Sequence, residues 1–527
     1  QYTYLFSVGI PSTPGLRATP SMQEGKWGFF PQADTIQLTL QILSYQFLFM
    51  FSFTKQPISH CEFRIFIVYY KLKKTEGAKP MIVSLPDMLD ARERRANKQR
   101  ELLEKYKKPM ISFTMNIAGP VKDTPLIRRG FEIGLRDLER LLAVEALPCI
   151  HREVIREVTG CEAVLVLDGA PEKIKDLTAS LEETTPLGRL YDMDVLDESG
   201  EKLQRRSPRR CLICGEIAQV CARSRTHSVP QLQERTREIL TQAVREEDSR
   251  FISKLAQQAL LYEVAVTPKP GLVDRENNGS HRDMDFFTFL RSALSLGDYF
   301  EKCASIGMGT KEEVPEETFA RLRFQGKQAE GNMLAATGGV NTHKGAIFSL
   351  GILCGALGRL DREDWGNPEK ILNTCAQMTK DLLKTDFGHL QPGPGETAGQ
   401  KLYLDLGITG VRGQAAAGFP EVKNIGLPKL EAGLKAGLSL NDAACAALMA
   451  LITDTVDTNM IHRGGRETQR NVSAAIGEEL KRQPFPEKAA LESWNEKFVE
   501  KNLSPGGCAD LLAMTLMLYF LKEDARE

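Results

Sequence analysis

The sequence is poor in cysteine and has no surplus of charge of either sign. Eleven cysteines occur among 527 residues, far fewer than a disulfide scaffold carries, so we expect a reducing, cytoplasmic environment. Basic residues number 68 and acidic residues 69, which argues against a protein that coats nucleic acid or an anionic membrane. Hydrophobic residues make up 42% of the chain, so wholesale disorder is excluded. At about 150 residues per domain, the length predicts a multidomain protein.

Residues 1–80 differ from the rest of the chain in being poor in acidic residues and rich in aromatic ones. They hold four Asp or Glu and 15 of the 38 aromatic residues. The run at 36–53 is apolar but contains Gln37, Gln41 and Gln46, which make it a poor membrane span. Three alternatives are open: an extra module, a membrane anchor or signal, and an upstream read-through with the working protein beginning at Met81. We favour the last and expect an atypical extension that is non-native or disordered.

The rest of the chain divides into a mixed half and a helical half. Between 81 and 235, segments with apolar residues at helical spacing alternate with short β-like runs, which predicts an α+β domain. From 236 to 527 the long segments are rich in Ala, Leu, Met and Gly at helical spacing, which predicts an all-α domain with functional loops at helix ends. We place the joint in a charged helix at 231–250.

A short acidic segment in the first half is a candidate metal site. Residues 188–195 read GRLYDMDV, and on a strand the side chains of Asp192 and Asp194 project from the same face, about 7 Å apart. Two hard oxygen ligands on one face suit a Mg²⁺ ion that bridges to substrate phosphates. An edge strand with a solvated acidic face is the alternative.

A cysteine-rich segment follows. Cys211, Cys214, Cys221 and His227 form the pattern C-x2-C-x6-C-x5-H, which could give a Cys₃His zinc site, and a reduced loop without metal is the alternative. The basic residues around it are Arg205, Arg206, Arg209, Arg210, Arg223 and Arg225. Such a loop could bind nucleic acid, polyphosphate or an acidic protein partner, and the neutral overall charge disfavours nucleic acid.

The strings of the first half resemble apo-citrate lyase phosphoribosyl-dephospho-CoA transferase, also called holo-citrate lyase synthase. The resemblance covers about 81–235 and rests mainly on 187–196 (LGRLYDMDVL) and on the Arg/Cys/His pattern of 209–227. It implies a nucleotidyltransferase-like domain that attaches the prosthetic group to a serine of the citrate lyase acyl carrier subunit and releases pyrophosphate. It also implies that Asp192 and Asp194 are the catalytic, metal-binding carboxylates.

Five polar loops in the second half carry residues suited to a nucleotide. They read TPKPGLVD at 267–274, TGGVNTHKG at 337–345, GVRGQ at 410–414, DTNMIHRGG at 457–465 and NLSPGGCAD at 502–510. The second leads directly into an apolar helix, whose N-terminal N–H groups and dipole favour phosphate. It is not a Walker P-loop, because His343 precedes Lys344 and Gly345 follows it. A glycine-rich helix cap is the alternative.

Together these loops supply cations, carboxylates and glycine-rich backbone. The expected anion ligands are Lys269, Lys344, Arg412 and Arg463. The carboxylates that could carry Mg²⁺ are Asp274, Asp457 and Asp510, although Ser504 and Asp510 would also suit an ordinary helix cap. The other expected nucleotide-binding residues are Gly271, Gly338, Gly339, Asn341, Thr342, Gly345, Gly413, Asn459, Gly464, Gly465, Ser504, Gly506 and Gly507. The set predicts a nucleoside triphosphate site built without a Walker motif.

In this order the loops resemble triphosphoribosyl-dephospho-CoA synthase, over about 240–527. That family makes the precursor of the citrate lyase prosthetic group from ATP and 3′-dephospho-CoA and expels adenine. The reaction is a glycosyl transfer that needs a carboxylate, a proton for the departing base and clamps on the triphosphate. Our hypothesis assigns Mg²⁺ to Asp457 or Asp510 and makes His343 a candidate acid, with a structural histidine as the alternative. Gln414 departs from the family pattern, which has glutamate at this point.

The two resemblances describe consecutive steps, so the sequence predicts a bifunctional transferase. Its substrates would be ATP and 3′-dephospho-CoA, its partner the apo-citrate lyase acyl carrier subunit, and neither nucleic acid nor membrane is expected. The alternatives are an ATP-dependent kinase or ligase with non-Walker phosphate loops, a nucleic-acid-binding scaffold that uses the Cys/His loop, and the equivalent carrier-modifying pathway of malonate decarboxylase. Free adenine formed from ATP separates glycosyl transfer from the kinase and ligase alternatives.

Overall fold

The computed structural model describes residues 81–390 and 397–524, which belong to one compact unit, and the expectation for residues 1–80 lies outside the described residues. The elements of the mixed half are α1 (Leu85–Tyr106), β1 (Met110–Met115), α2 (Pro125–Val144), β2 (Cys149–Glu157), β3 (Gly160–Leu167), α3 (Pro171–Thr184), β4 (Tyr191–Leu196) and α4 (Ala218–Ser224). A long helix, α5 (Val229–Ala265), follows. The later helices are α6 (Phe286–Ser295), α7 (Gly297–Gly309), α8 (Pro315–Thr337), α9 (Lys344–Arg359), α10 (Pro368–Thr379), α11 (Leu382–Phe387), α12 (Ala398–Leu406), α13 (Gly410–Ala416), α14 (Leu427–Lys435), α15 (Leu440–Asp454), α16 (Thr458–Arg482), α17 (Lys488–Glu500) and α18 (Gly506–Asp524).

The mixed half is built on an antiparallel sheet, whose strand order among the described residues is β2-β3-β1-β4. One face packs on α2 and α3 through a core in which the rings of Phe113 and Phe131 stack at 4.8 Å and Tyr191 meets Phe113 edge-on. The other face is covered by α1, whose Leu102 contacts the strands. The sheet and its helices agree with the α+β prediction for this half.

Helix α5 joins the two halves as one continuous element. Its N-terminus is capped by Ser228, whose Oγ accepts the backbone N–H of Gln231. No glycine, and no proline after the first turn, interrupts the 37 residues of the helix, so the helix predicted at the joint runs on without a break. Leu240 lies in the core of the mixed half, and Ile252 lies in the core of the helical half. The joint is therefore an element that both cores share.

The described part of the chain after α5 is helical, as predicted, and α9, α15 and α18 are almost completely buried at its centre. Two segments expected to be loops are helical: residues 410–414 begin α13, and residues 458–465 lie in α16, which breaks at Gly465 (φ 80°). The cap explains the second case, because the Asp457 carboxylate accepts backbone N–H groups of the first turn and so starts the helix before the glycines.

The described residues include no single helix with the length and apolar composition needed to cross a membrane. Helices α15 and α16 pass that test only as a pair, and the pair bends by 55°.

Candidate active sites

A cavity of about 480 Å³ lies in the helical half, where the first residues of α9, α13, α16 and α18 meet. Each of the five segments singled out in the sequence contributes to its wall, for example with Lys269, Thr342, Gln414, Arg463 and Gly507. Helix N-termini present free N–H groups and the positive end of the helix dipole. The fold therefore places several anion-binding groups around one concave site.

The cavity gathers most of the residues predicted for it. Those in its wall are Lys269, Asn341, Thr342, His343, Lys344, Gly345, Asp457, Asn459, Arg463, Ser504, Gly506, Gly507 and Asp510. Those outside its wall are Gly271, Asp274, Gly338, Gly339, Arg412, Gly413, Gly464 and Gly465.

Two of the charged residues outside the wall, Asp274 and Arg412, form hydrogen bonds with nearby parts of the chain. The buried carboxylate of Asp274 accepts backbone N–H groups of Lys269 (2.9 Å), Glu276 (2.8 Å) and Asn277 (2.9 Å), and so fixes the loop that begins with Thr267. Arg412 donates from Nε to the carboxylate of Asp386 at 2.6 Å, and its guanidinium lies over the ring of Phe387.

Lys269 is held by a partner that sequence reasoning missed. Its Nζ donates to the carboxylate of Glu263 and to the Glu263 carbonyl oxygen, and Lys269 is only 1% exposed. Glu263 lies near the end of α5, where it is the one acidic residue in the apolar stretch LLYEVAV. That isolated charge in an apolar stretch is the feature of the sequence that could have identified Glu263 as a functional residue. His281, which donates to or accepts from Ser504 Oγ at 2.9 Å, was also missed.

Three carboxylates lie in the cavity wall, those of the buried Glu263 and Asp457 and that of the partly buried Asp510. Asp457 Oδ1 accepts the N–H groups of Asn459 (2.8 Å) and Met460 (3.1 Å), and its Oδ2 accepts that of Cys508 (2.9 Å). Burial nevertheless raises the pKa of Asp457. Burial, together with the charges of Glu263 and Asp457, raises the pKa of Asp510 well above its usual range. Burial likewise raises the pKa of Glu263. Such crowding is relieved when a cation binds.

His343 is a neutral histidine with one ring nitrogen lacking a partner. Its Nδ1 lies 2.7 Å from Ser292 Oγ, and Ser292 Oγ accepts the hydroxyl of Thr342 at 2.7 Å. Burial, reinforced by the charge of Lys269, lowers the pKa of His343 to about 3. Its buried Nε2 has no hydrogen-bond partner among the described residues. If the Ser292 hydroxyl donates to Nδ1, the proton resides on Nε2, which is then a free donor in the cavity wall.

The acidic pair of the mixed half lies on strand β4, which is paired along its length with β1. Tyr191, Met193 and Val195 are buried, whereas Asp192 and Asp194 alternate with them on the opposite face. Asp194 accepts from Lys202 Nζ at 2.5 Å, and Asp192 Oδ1 lies 3.5 Å from Arg209 Nη1. Both acids are thus on one face, each beside a cation.

The predicted zinc ligands come together around α4. One ligand atom from each of Cys211, Cys214, Cys221 and His227 lies within 4.8 Å of the others. The sulfur atoms of Cys214 and Cys221 are 3.4 Å apart. The buried Nε2 of His227 has no hydrogen-bond partner in the described part of the chain. These positions could be bridged by one metal ion.

Two family models match the chain. Residues 83–243 match the apo-citrate lyase phosphoribosyl-dephospho-CoA transferase, and residues 249–527 match the ATP:dephospho-CoA triphosphoribosyl transferase. Both resemblances inferred from the sequence are thereby confirmed.

Two of the similar curated proteins span most of this chain, and a third spans about half of it. Protein CitXG of Haemophilus influenzae is 36% identical over 469 residues, which cover 85% of this chain and 98% of the relative. Protein CitXG of Leuconostoc mesenteroides subsp. cremoris is 33% identical over 459 residues, covering 83% and 97%. The probable 2-(5''-triphosphoribosyl)-3'-dephosphocoenzyme-A synthase of Streptococcus equi subsp. equi is 42% identical over 286 residues, covering 51% of this chain and 96% of the relative. The chain therefore belongs to the CitXG family of bifunctional transferases, in which the two activities of citrate lyase prosthetic-group synthesis share one polypeptide.

Proposed function

We propose that the helical half makes 2'-(5''-triphosphoribosyl)-3'-dephospho-CoA in the 480 Å³ cavity, and that the mixed half transfers the phosphoribosyl-dephospho-CoA group to the carrier at Asp192 and Asp194. The observation that carries the first part is the meeting of all five sequence segments around one cavity. A kinase or ligase needs phosphate ligands too, but the family match of residues 249–527 favours the glycosyl transfer.

In the first step the 2′-oxygen of dephospho-CoA bonds to C1′ of the ATP ribose and the bond from C1′ to adenine breaks. The proton lost by the hydroxyl balances the proton gained by adenine. Lys344 is suited to the triphosphate, because its present partner Glu330 forms an exposed ion pair at 2.9 Å that a phosphate can replace. Arg463 is held at Ser280 O (3.0 Å) and presents a fixed guanidinium to the cavity. We assign His343 to a hydrogen bond with the departing base, because it lies in the cavity wall and its buried Nε2 has no partner among the described residues.

The buried carboxylates of the cavity fit a magnesium ion. Asp457, Asp510 and Glu263 are oxygen ligands of the kind Mg²⁺ prefers, and burial, which raises their pKa values, makes a nearby cation favourable for their charged forms. Mg²⁺ bound there would neutralise charge on the polyphosphate. The residues themselves orient the triphosphate end of ATP beside the helix N-termini.

In the second step the carrier serine oxygen bonds to the phosphorus attached to the ribose, and the bond from that phosphorus to pyrophosphate breaks. The hydroxyl proton is released to solvent. Asp192 and Asp194 would hold Mg²⁺, which would offset charge on the phosphates. The Cys211 cluster fits a structural Zn²⁺, because its four ligand atoms already converge and His227 has a buried nitrogen to satisfy.

Product analysis tests the proposal. The chain is incubated with ATP and dephospho-CoA, and the adenine formed is measured by chromatography. The apo-carrier is then added, and its mass is determined by mass spectrometry. We expect free adenine first and a mass gain on the carrier second. ADP or AMP without adenine would contradict the first step, and an unmodified citrate lyase carrier beside a modified malonate decarboxylase carrier would reassign the partner.

A matched pair of lysines tests the cavity. Lys344→Ala should lower adenine release by about 100-fold, since charged contacts to a developing or transferred anion are worth that much. Lys327→Ala, an exposed lysine on α8 outside the cavity wall, is the control and should keep normal turnover. Equal rates for the two variants would remove Lys344 from the site.

A further inference from the structure

The mixed half contains a second concave site, whose lining includes four arginines. Its volume is about 320 Å³, and its charged lining residues are Arg189, Arg205, Arg209, Arg210, Glu182 and Glu183. Four guanidinium groups face two carboxylates, which leaves two positive charges in excess. The arginines come from the turn before β4 and from the loop that leads to Cys211. Of the arginines noted in the sequence, Arg206, Arg223 and Arg225 lie outside this site.

Two of these arginines are fixed and two are available. Glu182, which is 2% exposed, lies 2.8 Å from Arg205 Nη1 and 2.7 Å from Arg209 Nη2 and so anchors both guanidiniums. Arg189 and Arg210 have no ion-pair partner among the described residues. Burial, together with the charge of Arg209, lowers the pKa of Arg189. A concave site with unpaired guanidiniums is suited to an oxyanion with several oxygens.

The site adjoins the acidic pair. Arg209 connects them, because its Nη2 bonds to Glu182 while its Nη1 lies 3.5 Å from Asp192 Oδ1. Its guanidinium also donates to the carbonyl oxygen of Tyr191, the residue before Asp192. An anion held by Arg189 and Arg210 would therefore lie next to the carboxylates proposed to act on the same phosphate chain.

We propose that this arginine site binds the pyrophosphate end of the triphosphate chain and retains it as the leaving group of the transfer step. The inference rests on the proposed function of the mixed half. When the seryl oxygen bonds to the phosphorus attached to the ribose and the bond to the next oxygen breaks, negative charge collects on the departing pyrophosphate. The guanidiniums of Arg189 and Arg210 lie where they would neutralise that charge.

The test measures pyrophosphate as a product inhibitor. The full chain first accumulates the intermediate from ATP and dephospho-CoA, and apo-carrier is then added with increasing inorganic pyrophosphate. We expect Arg189→Gln and Arg210→Gln each to raise the inhibition constant for pyrophosphate, and the KM for the intermediate, by about tenfold or more. Arg206→Gln is the matched control, because Arg206 lies in the same loop but pairs with Asp176 at 2.7 Å outside the site. Arg206→Gln should leave the inhibition constant for pyrophosphate and the KM for the intermediate unchanged.

Adenine release verifies that the helical half of each variant is intact, and a thermal unfolding curve like that of the wild type verifies that the substituted mixed half is folded. An unchanged inhibition constant in the Arg189→Gln/Arg210→Gln double variant would overturn the proposal, and so would a rise confined to the KM for the carrier, which would assign the arginines to an acidic protein surface. If the wild-type chain releases adenine but modifies no carrier, the proposed transfer fails instead. Calorimetric titration of pyrophosphate into the wild type and the double variant would then still decide whether these arginines bind it.

Discussion

Asp457 and Asp510 carry the same charge in one cavity, yet we expect opposite effects on stability when they are replaced. Asp457 accepts three backbone N–H groups at the starts of α16 and α18, so Asp457→Ala should lower the free energy of unfolding by about 1–2 kcal/mol. Asp510 is disfavoured as an anion by burial and by neighbouring acids, so Asp510→Asn should leave stability unchanged or raise it. Adenine release should fall at least about 100-fold in both. Urea unfolding and adenine assays separate the effects, and near-normal turnover of Asp510→Asn would exclude its role.

His343 should make stability depend on pH. Its folded-state pKa is about 3, against an ordinary value of 6.5. As the pH falls below 6.5, the unfolded chain gains a proton that the folded chain does not, so the folded state loses up to about 1.4 kcal/mol per pH unit. Glu263, Asp457 and Asp510 have raised pKa values. Their protonation therefore increases the stability of the folded state as the pH falls, which opposes the effect of His343.

Comparison with a variant isolates the contribution of the histidine. Between pH 7 and pH 5, the free energy of unfolding of the wild type should decline relative to that of His343→Gln, because the carboxylates are common to both. Urea unfolding at several pH values measures the difference. Parallel pH profiles of the two proteins would contradict a buried neutral His343, and melting at pH 8 verifies that the variant folds.

Among the elements, the cysteine cluster around α4 connects metal binding to the transfer step. Arg209 and Arg210 directly precede Cys211, so a Zn²⁺ held by the cluster would fix the loop that lines the arginine site. We expect about one zinc per chain by elemental analysis. Cys214→Ser should lose it and lose carrier modification while adenine release continues. Cys149→Ser, an exposed cysteine on β2, is the control. Full carrier modification by a zinc-free Cys214→Ser protein would contradict this role.

The same elements show what the sequence could and could not reveal. The alternation of apolar and acidic residues in residues 188–195 indicated β4, because that strand buries one face and leaves the other partly exposed. Strand β2 was missed because CIHREVIRE is an edge strand with four charged residues and no buried one, and its pairing with β3 decides its structure. The β-propensity of a segment does not indicate which strand it pairs with.

The sequence predicted which segments surround the cavity, but only in part which of their residues line it. Short loops with glycine, lysine and aspartate identified the segments that meet there. The hydrogen bonds of each side chain decide the rest: Asp274 accepts from its own loop backbone, and Arg412 donates to Asp386. The isolated charge of Glu263 was visible in the sequence, but its hydrogen bond with Lys269, 6 residues later, was not.

At the scale of the whole molecule, the two halves share helix α5, which contributes to both cores. Asp248, 5% exposed on that helix, lies 2.6 Å from Arg129 Nη2 of the mixed half and 3.6 Å from Arg362 Nη1 of the helical half. The guanidinium of Arg362 in turn lies over the rings of Phe251 and Trp365. One carboxylate thus joins cations from both halves on a helix that both cores share.

Loss of that carboxylate should therefore weaken both halves at once. Asp248→Ala leaves Arg129 and Arg362 close together without their shared anion, so the free energy of unfolding should fall toward the lower end of the about 3–5 kcal/mol seen when one partner of a buried pair is removed. Glu234→Ala on the same helix, where the acid forms an exposed pair with Arg237, should cost little. Scanning calorimetry measures the loss of stability in each variant, and assays of adenine release and carrier modification at increasing temperature measure the loss of each activity. Because α5 is continuous through both cores, adenine release and carrier modification of Asp248→Ala should fail over the same temperature range. Loss of one activity well below the other would show that the halves are stabilised independently.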